Sequence, residues 1–238
     1  MFNPDKYNFW PIHQAIKTYY LLGLDRDFNL YIDCPGYTNL IKLLEENIHD
    51  NENYRLRWED FCSKLEKEID KEIERTTYGQ LPCFSAYVLL DKKTSDDLVR
   101  TKELYFFVSL LGSFFSIIGR DGSQIEYEKD HSHWITNYIT VSPEKEYAEI
   151  FKIVELRITE RFRNYRLAPF EILKQEIENI YSKWYAENEM TIFNALFNNQ
   201  INTESNILGN TMYGSDKWIK EDYDLSMEGG WTIYPPQS

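Results

Sequence analysis

His131 and His133, in the stretch IEYEKDHSHW, are the only histidines of the chain that stand close together. On an extended backbone both imidazoles point to one side, with Ser132 between them on the other. Glu126, Glu128 and Asp130 precede them at the same spacing of two, so on an ideal strand the acids fall on the opposite face. A bulge or turn near Asp130 would bring the two sets together. Imidazole and carboxylate suit zinc or iron, and they also suit acid–base chemistry. A third well-placed ligand is missing, however. The expectation is therefore no metal ligand, no cofactor and no catalytic residue, with the His131/His133 region as the alternative, enzymatic reading.

Other chemistries find less support. No serine sits in a G-x-S-x-G elbow, and Ser113 and Ser116 lie in an apolar run. Cys34, Cys62 and Cys83 are odd in number and widely spaced, which fits neither a disulfide framework nor a zinc site. They read as free thiols of a reducing compartment, Cys34 being the least buried. The glycines of GRDGS (119–123) and GNTMYGS (209–215) do not follow a strand and open a helix, so neither is a phosphate cradle. Asp96 and Asp97, in TSDDLVR, suit a turn better than catalysis. Arg157, Arg161, Arg163 and Arg166 alternate with acids near the end of a helix, where the dipole favours cations.

Charge and aromatics point instead to a protein partner. Lys plus Arg number 26 and Asp plus Glu 39, a net charge of −13. Such a field repels nucleic-acid phosphates and anionic membranes, and it draws in basic proteins. Tyrosine (18) and tryptophan (6) are abundant, and these residues are enriched at protein interfaces. The candidate contact residues are Asp96, Asp97, Glu126, Glu128, Asp130 and Trp134. The uncharged run Leu104–Ile118 is shorter than the roughly 20 residues of a spanning helix and reads as two buried strands. The N-terminus lacks the pattern of a signal peptide, so a cytoplasmic location is expected.

The elements that would position these residues follow from periodicity. Helices are expected over 9–22, with Pro11 in the first turn, over 38–49, and over 54–76. A short strand is expected near 28–32. From 83 to 141 dense apolar runs alternate with turn signals. Gly112-Ser113 and Asp121-Gly122 mark hairpins, which predicts an antiparallel meander of four to five strands. The runs at 103–119 are apolar on both faces and should be central strands covered by helices. Ser142-Pro143-Glu144 starts a helix to about 165, and a second helix follows over 170–187. Beyond 200 the pattern dissolves into an extended strap, expected to dock through Trp231 and Tyr234.

The whole is expected to be a single α+β domain. It divides into a helical part (1–80), the meander (83–141), the helices of 143–187 and the strap (200–238). In general character, a small acidic α+β protein with aromatic strands such as ELYFFVSLLGSFFSIIGRDGS, the chain resembles bacterial polymorphic-toxin immunity proteins. The resemblance implies a cytosolic protein that binds a cognate toxin domain and blocks its active site. The expected function is thus non-enzymatic: an acidic protein that neutralises a basic protein partner.

Overall fold

The computed structural model describes residues 6–22, 34–95, 98–128, 131–178, 180 and 189–223, without the side chains of 126–128, 131–132, 178 and 189. Helix α1 (Trp10–Tyr19) carries Pro11 in its first turn, where a missing N–H costs nothing, and buries Ile12, Ala15 and Ile16. Helix α2 (Pro35–Leu44) starts at Pro35, earlier than the capping residue Thr38 suggested, and runs into a π-helical turn, Glu45–His49. The stretch 49–53 looks like a polar loop in sequence. Instead Asp50 accepts from the N–H groups of Glu52 and Asn53 and starts α3 (Asn51–Tyr54). A second π-helical turn (Arg55–Glu59) joins α3 to α4 (Asp60–Ile69).

The helix expected to reach residue 76 ends earlier. Asp70 is left-handed at φ 51°, and Ile73–Arg75 form strand β1. β1 pairs antiparallel with Ala86–Val88 of β2 (Cys83–Ser95). Ile73 fits either period, since one buried apolar position satisfies both a helix and a strand. The Glu66 carboxylate fixes the outcome by accepting from Ile73 N–H and from Arg75.

β2, β3 (Leu98–Ser109), β4 (Phe114–Glu128) and β5 (His131–Thr140) form the expected antiparallel meander. Gly112 lies in the β3–β4 turn, where a Cβ would stand 2.3 Å from the Phe114 ring. Asp121-Gly122 is not a hairpin turn. It lies inside β4, where β5 carries one extra residue, Asn137, opposite Asp121. The runs 113–119 and 124–128 are therefore one long strand.

After β5, Ser142 does not cap a helix. Its hydroxyl bonds Glu144 and accepts from Asn210 N–H. A 3-10 turn (Lys145–Tyr147) leads into α5 (Ala148–Arg161). Of the helix expected over 170–187, the described residues show one turn followed by a strand, and residues 179 and 181–187 lie outside them. β6 (Arg166–Leu167) precedes α6 (Phe170–Leu173), and β7 (Glu176–Glu178) pairs with β8 (Glu189–Thr191). α7 (Ile192–Leu196) and β9 (Ile207–Leu208) complete the regular elements, with a last 3-10 turn at Ser215–Trp218. Among the described residues the main sheet has seven strands, in the order β1-β2-β3-β4-β5-β9 with β6 beside the start of β4. β6 and β9 pair in parallel and the others antiparallel.

Both faces of the sheet are covered. Leu104, Phe106 and Val108 of β3 point into one core with Trp58, Phe61 and Leu65 of the helices before β1 and Phe151, Val154 and Ile158 of α5. Tyr105 and Phe107 point into the other, with Ile12 and Ile16 of α1, Leu40 of α2 and Phe193 of α7. This two-sided burial is what the continuous apolar runs demanded, each large side chain stabilising by roughly 1.5–3 kcal/mol. The strap is docked as far as it is described. Trp218 is fully buried, and its indole N–H donates to the Leu167 carbonyl. Trp231, Tyr234 and the strand expected at 28–32 lie outside the described residues. Among the described residues no helix is long and apolar enough to cross a membrane.

Candidate functional site: the hairpin end of the sheet

The meander brings both of its long hairpins to one end. Ser95 pairs with Leu98 and Glu128 with His131, and the two strand pairs run side by side because Leu98 pairs with Ile125. Of the six predicted contact residues, Trp134 and the backbone of Glu126 and Glu128 are described at this end of the sheet. Asp96, Asp97 and Asp130 lie outside the described residues. Glu126 and Glu128 are in β4, and only their backbone is described. Trp134 sits in β5 opposite Gln124 and is half exposed.

Here the helical layers no longer cover the sheet. Leu98, Trp134 and Ile135 are 42%, 50% and 42% exposed. The pleat puts Leu98, Ile125 and His133 in one rank across the sheet and Arg100, Ser123 and Ile135 in another on the same face. The rank Val99, Gln124, Trp134 lies on the opposite face. This end of the sheet thus exposes apolar side chains on both of its faces.

Trp134 stands on a fixed base. Glu103, nearly fully buried, accepts from Nε and Nη2 of Arg120 at 3.0 and 2.6 Å. The guanidinium lies 4.7 Å from the Tyr105 ring centre and 5.8 Å from that of Trp134. Gly122 lies between the ranks of Arg120 and Trp134, and an added Cβ there would make only ordinary van der Waals contact, 3.9 Å from Arg120 Nε. An aromatic held by a cation in this way loses little freedom when it meets a partner.

The other face is held by Asp121. Its side chain is fully covered and accepts from Nε and Nη2 of Arg100 at 3.0 and 2.8 Å and from Asn137 at 2.6 Å. Burial pushes its carboxyl up, but these bonds, one from Tyr138 and the Arg100 charge outweigh it, so the pKa is lowered. Lys102 pairs with Glu146 beside it. The Thr101 and Tyr147 hydroxyls, both buried, find no partner among the described residues.

These ionic residues were missed as a group in the sequence, although a signal existed. Pairing about the Leu111–Gly112 turn sets Glu103 against Arg120 and Lys102 against Asp121. Opposite charges facing one another across a hairpin mark a cross-strand pair.

The histidines are not drawn into a cluster by what is described. His133 is exposed, and His131 pairs with Glu128 across a bulge at Tyr127. Among the described residues no group of three or more His, Cys, Asp or Glu is placed to hold a metal ion. Cys62 is buried and its thiol is pushed up to about 12 by burial; Cys83 is buried and shifted in the same direction. Cys34 is the most accessible of the three.

A concavity of about 430 Å³ lies between α5 and the 210–217 segment, lined by Glu155, Arg166 and Tyr213 among others. Burial raises the Glu155 carboxyl, which accepts from the Tyr213 hydroxyl at 2.8 Å. That bond ties the segment to α5. No family model matches the chain, and no curated protein and no solved structure matches it significantly.

Proposed function

We propose that the chain is a non-enzymatic binding protein that neutralises a basic protein partner, an immunity protein acting in the cytoplasm against a cognate bacterial toxin domain. One observation carries the reading: an exposed tryptophan, braced from below by Arg120, stands at the sheet end where acid-rich hairpins also meet. Aromatic anchors set the lifetime of complexes, and acidic rims speed the encounter with cations. No cofactor is required. The test is to co-express the chain with the basic protein encoded beside it. Growth rescue, with a stable one-to-one complex lost on Trp134→Ala, is the expected result. Turnover of a small substrate by the isolated chain, abolished by His131→Ala or His133→Ala, would overturn the reading in favour of an enzyme.

A further inference from the structure

The two outer edges of the meander differ in how they are guarded. On one side β1 covers only Ala86–Val88 of β2, and the β2 edge beyond carries Asp91, Lys92 and Lys93. Charged residues, lysine above all, are the usual protection of an edge against pairing with foreign strands. On the other side β9 covers only Ile139 and Thr140 of β5. Among the described residues nothing pairs with the outer edge of His131–Thr136. This segment, HSHWIT, contains no Asp, Glu, Lys, Arg, Pro or Gly. It holds two β-branched residues and a tryptophan, and its inner edge is fully laddered to β4.

The backbone groups of that edge can be assigned. Ile139 and Val141 donate outward, to Asn206 and Leu208. The extra residue Asn137 resets the alternation, so Trp134 and Thr136 turn their N–H and C=O groups to the open edge.

We propose that the β5 edge, His131–Thr136, receives an extended, cationic segment of the partner as an added antiparallel or parallel strand. The inference rests on the binding-protein reading above. Main-chain bonds to an edge give such complexes their affinity and alternate side chains give specificity. Here one face of the added strand meets Trp134 and the other Ile135. Charge selects the occupant. The net charge of −13 calls for lysine or arginine in the incoming segment, and Glu126 and Glu128 stand in β4, the strand next to β5. A second copy would bring another charge of −13, and residues 224–238 of the chain itself carry Asp224 and Glu228 and no Lys or Arg.

The test selects random peptides displayed on phage against the full-length chain. The expected winners are rich in Lys or Arg and in β-branched residues. On binding, the amides of Trp134 and Thr136 exchange more slowly with solvent. Thr136→Pro, which deletes one edge donor, weakens binding roughly tenfold, whereas Thr136→Val, which keeps it, does not. If Thr136→Pro fails to fold, the exchange measurement on the native chain decides. Cationic peptides that bind without slowing those amides would overturn strand addition and leave the basic-partner reading standing. Acidic or neutral winners that do slow them would overturn the cationic segment, and with it that reading. Selection of no peptide above background would overturn the proposal. So would slow exchange of both amides in the free chain, whether as a monomer, which assigns the edge to its own tail, or only as a dimer, which assigns it to a second copy.

Discussion

Asp121 shows how a charge is kept inside this sheet. Its pKa is held below the ordinary 3.8, so the folded chain gives up this proton more readily than the unfolded chain. The stabilisation is complete above 3.8 and is lost as pH falls through the folded value. Arg100→Ala leaves a covered carboxylate short of donors and should lower the unfolding free energy by about 1–3 kcal/mol at neutral pH. The gap to the native chain should close in acid, where Asp121 is protonated. Urea unfolding at both pH values measures it, and an equal gap would mean that Arg100 acts by packing alone. Glu155 has the opposite sign. Burial raises it above 4.5, so the folded state keeps a proton that the unfolded state has lost, and stability falls as pH rises through that window. Glu155→Gln keeps an acceptor for Tyr213 and removes the ionisation. Its melting temperature relative to the native chain should therefore climb between pH 4 and pH 7. A constant difference would refute the assignment. Of these two carboxylates, Asp121 was read as part of a turn, although a signal of its strand partner Lys102 was present in the sequence. The environment of Glu155 left no such signal, because it depends on a segment 58 residues away.

At the scale of elements, the period of the apolar pattern identified the meander and the helices that cover it, because both faces of β3 and the start of β4 had to be buried. Boundaries failed where tertiary contacts competed with local signals. Asp121-Gly122 has the composition of a tight turn, yet Arg100 and Asn137 hold Asp121 in a continuous strand. The stripe that ran to Ile73 broke because Asp70 could adopt the left-handed conformation and release Ile73 to pair with Val88. Gly119 marks a further constraint that no periodicity reveals. A Cβ there would stand 2.7 Å from the ring of Tyr147, a residue 1% exposed. The glycine lets the entrance to α5 lie flat on β4. Gly119→Ala should destabilise by about 1–3 kcal/mol through overpacking, although alanine costs less entropy in a strand. Thermal unfolding gives the answer, and a variant as stable as the native chain would show that Tyr147 can move aside.

At the scale of the molecule, the acidity was legible from composition and Trp134 from residue type, but the place of Trp134 at the hairpin end of the sheet was not. That depends on two hairpins of matched length, and the length of β4 was misjudged at Asp121-Gly122. The charge makes a kinetic prediction. A net −13 accelerates encounter with a cation over distances of about one Debye length, roughly 10 Å at 0.1 M salt. Reversing Asp96 and Asp97 to lysine should slow association with the proposed basic partner by about tenfold at low ionic strength and much less at high. In the proposed complex Trp134 acts after contact. Trp134→Ala should leave association nearly unchanged and speed dissociation roughly 30-fold, the equivalent of about 2 kcal/mol at an anchor residue. Half of Trp134 is already in water, so the same variant should barely alter the melting temperature. That separates an interface role from a structural one. Surface plasmon resonance at two salt concentrations reads both rates. An association rate indifferent to salt and to charge reversal would mean that the acidity serves solubility, and a dissociation rate unmoved by Trp134→Ala would place the interface elsewhere on the molecule.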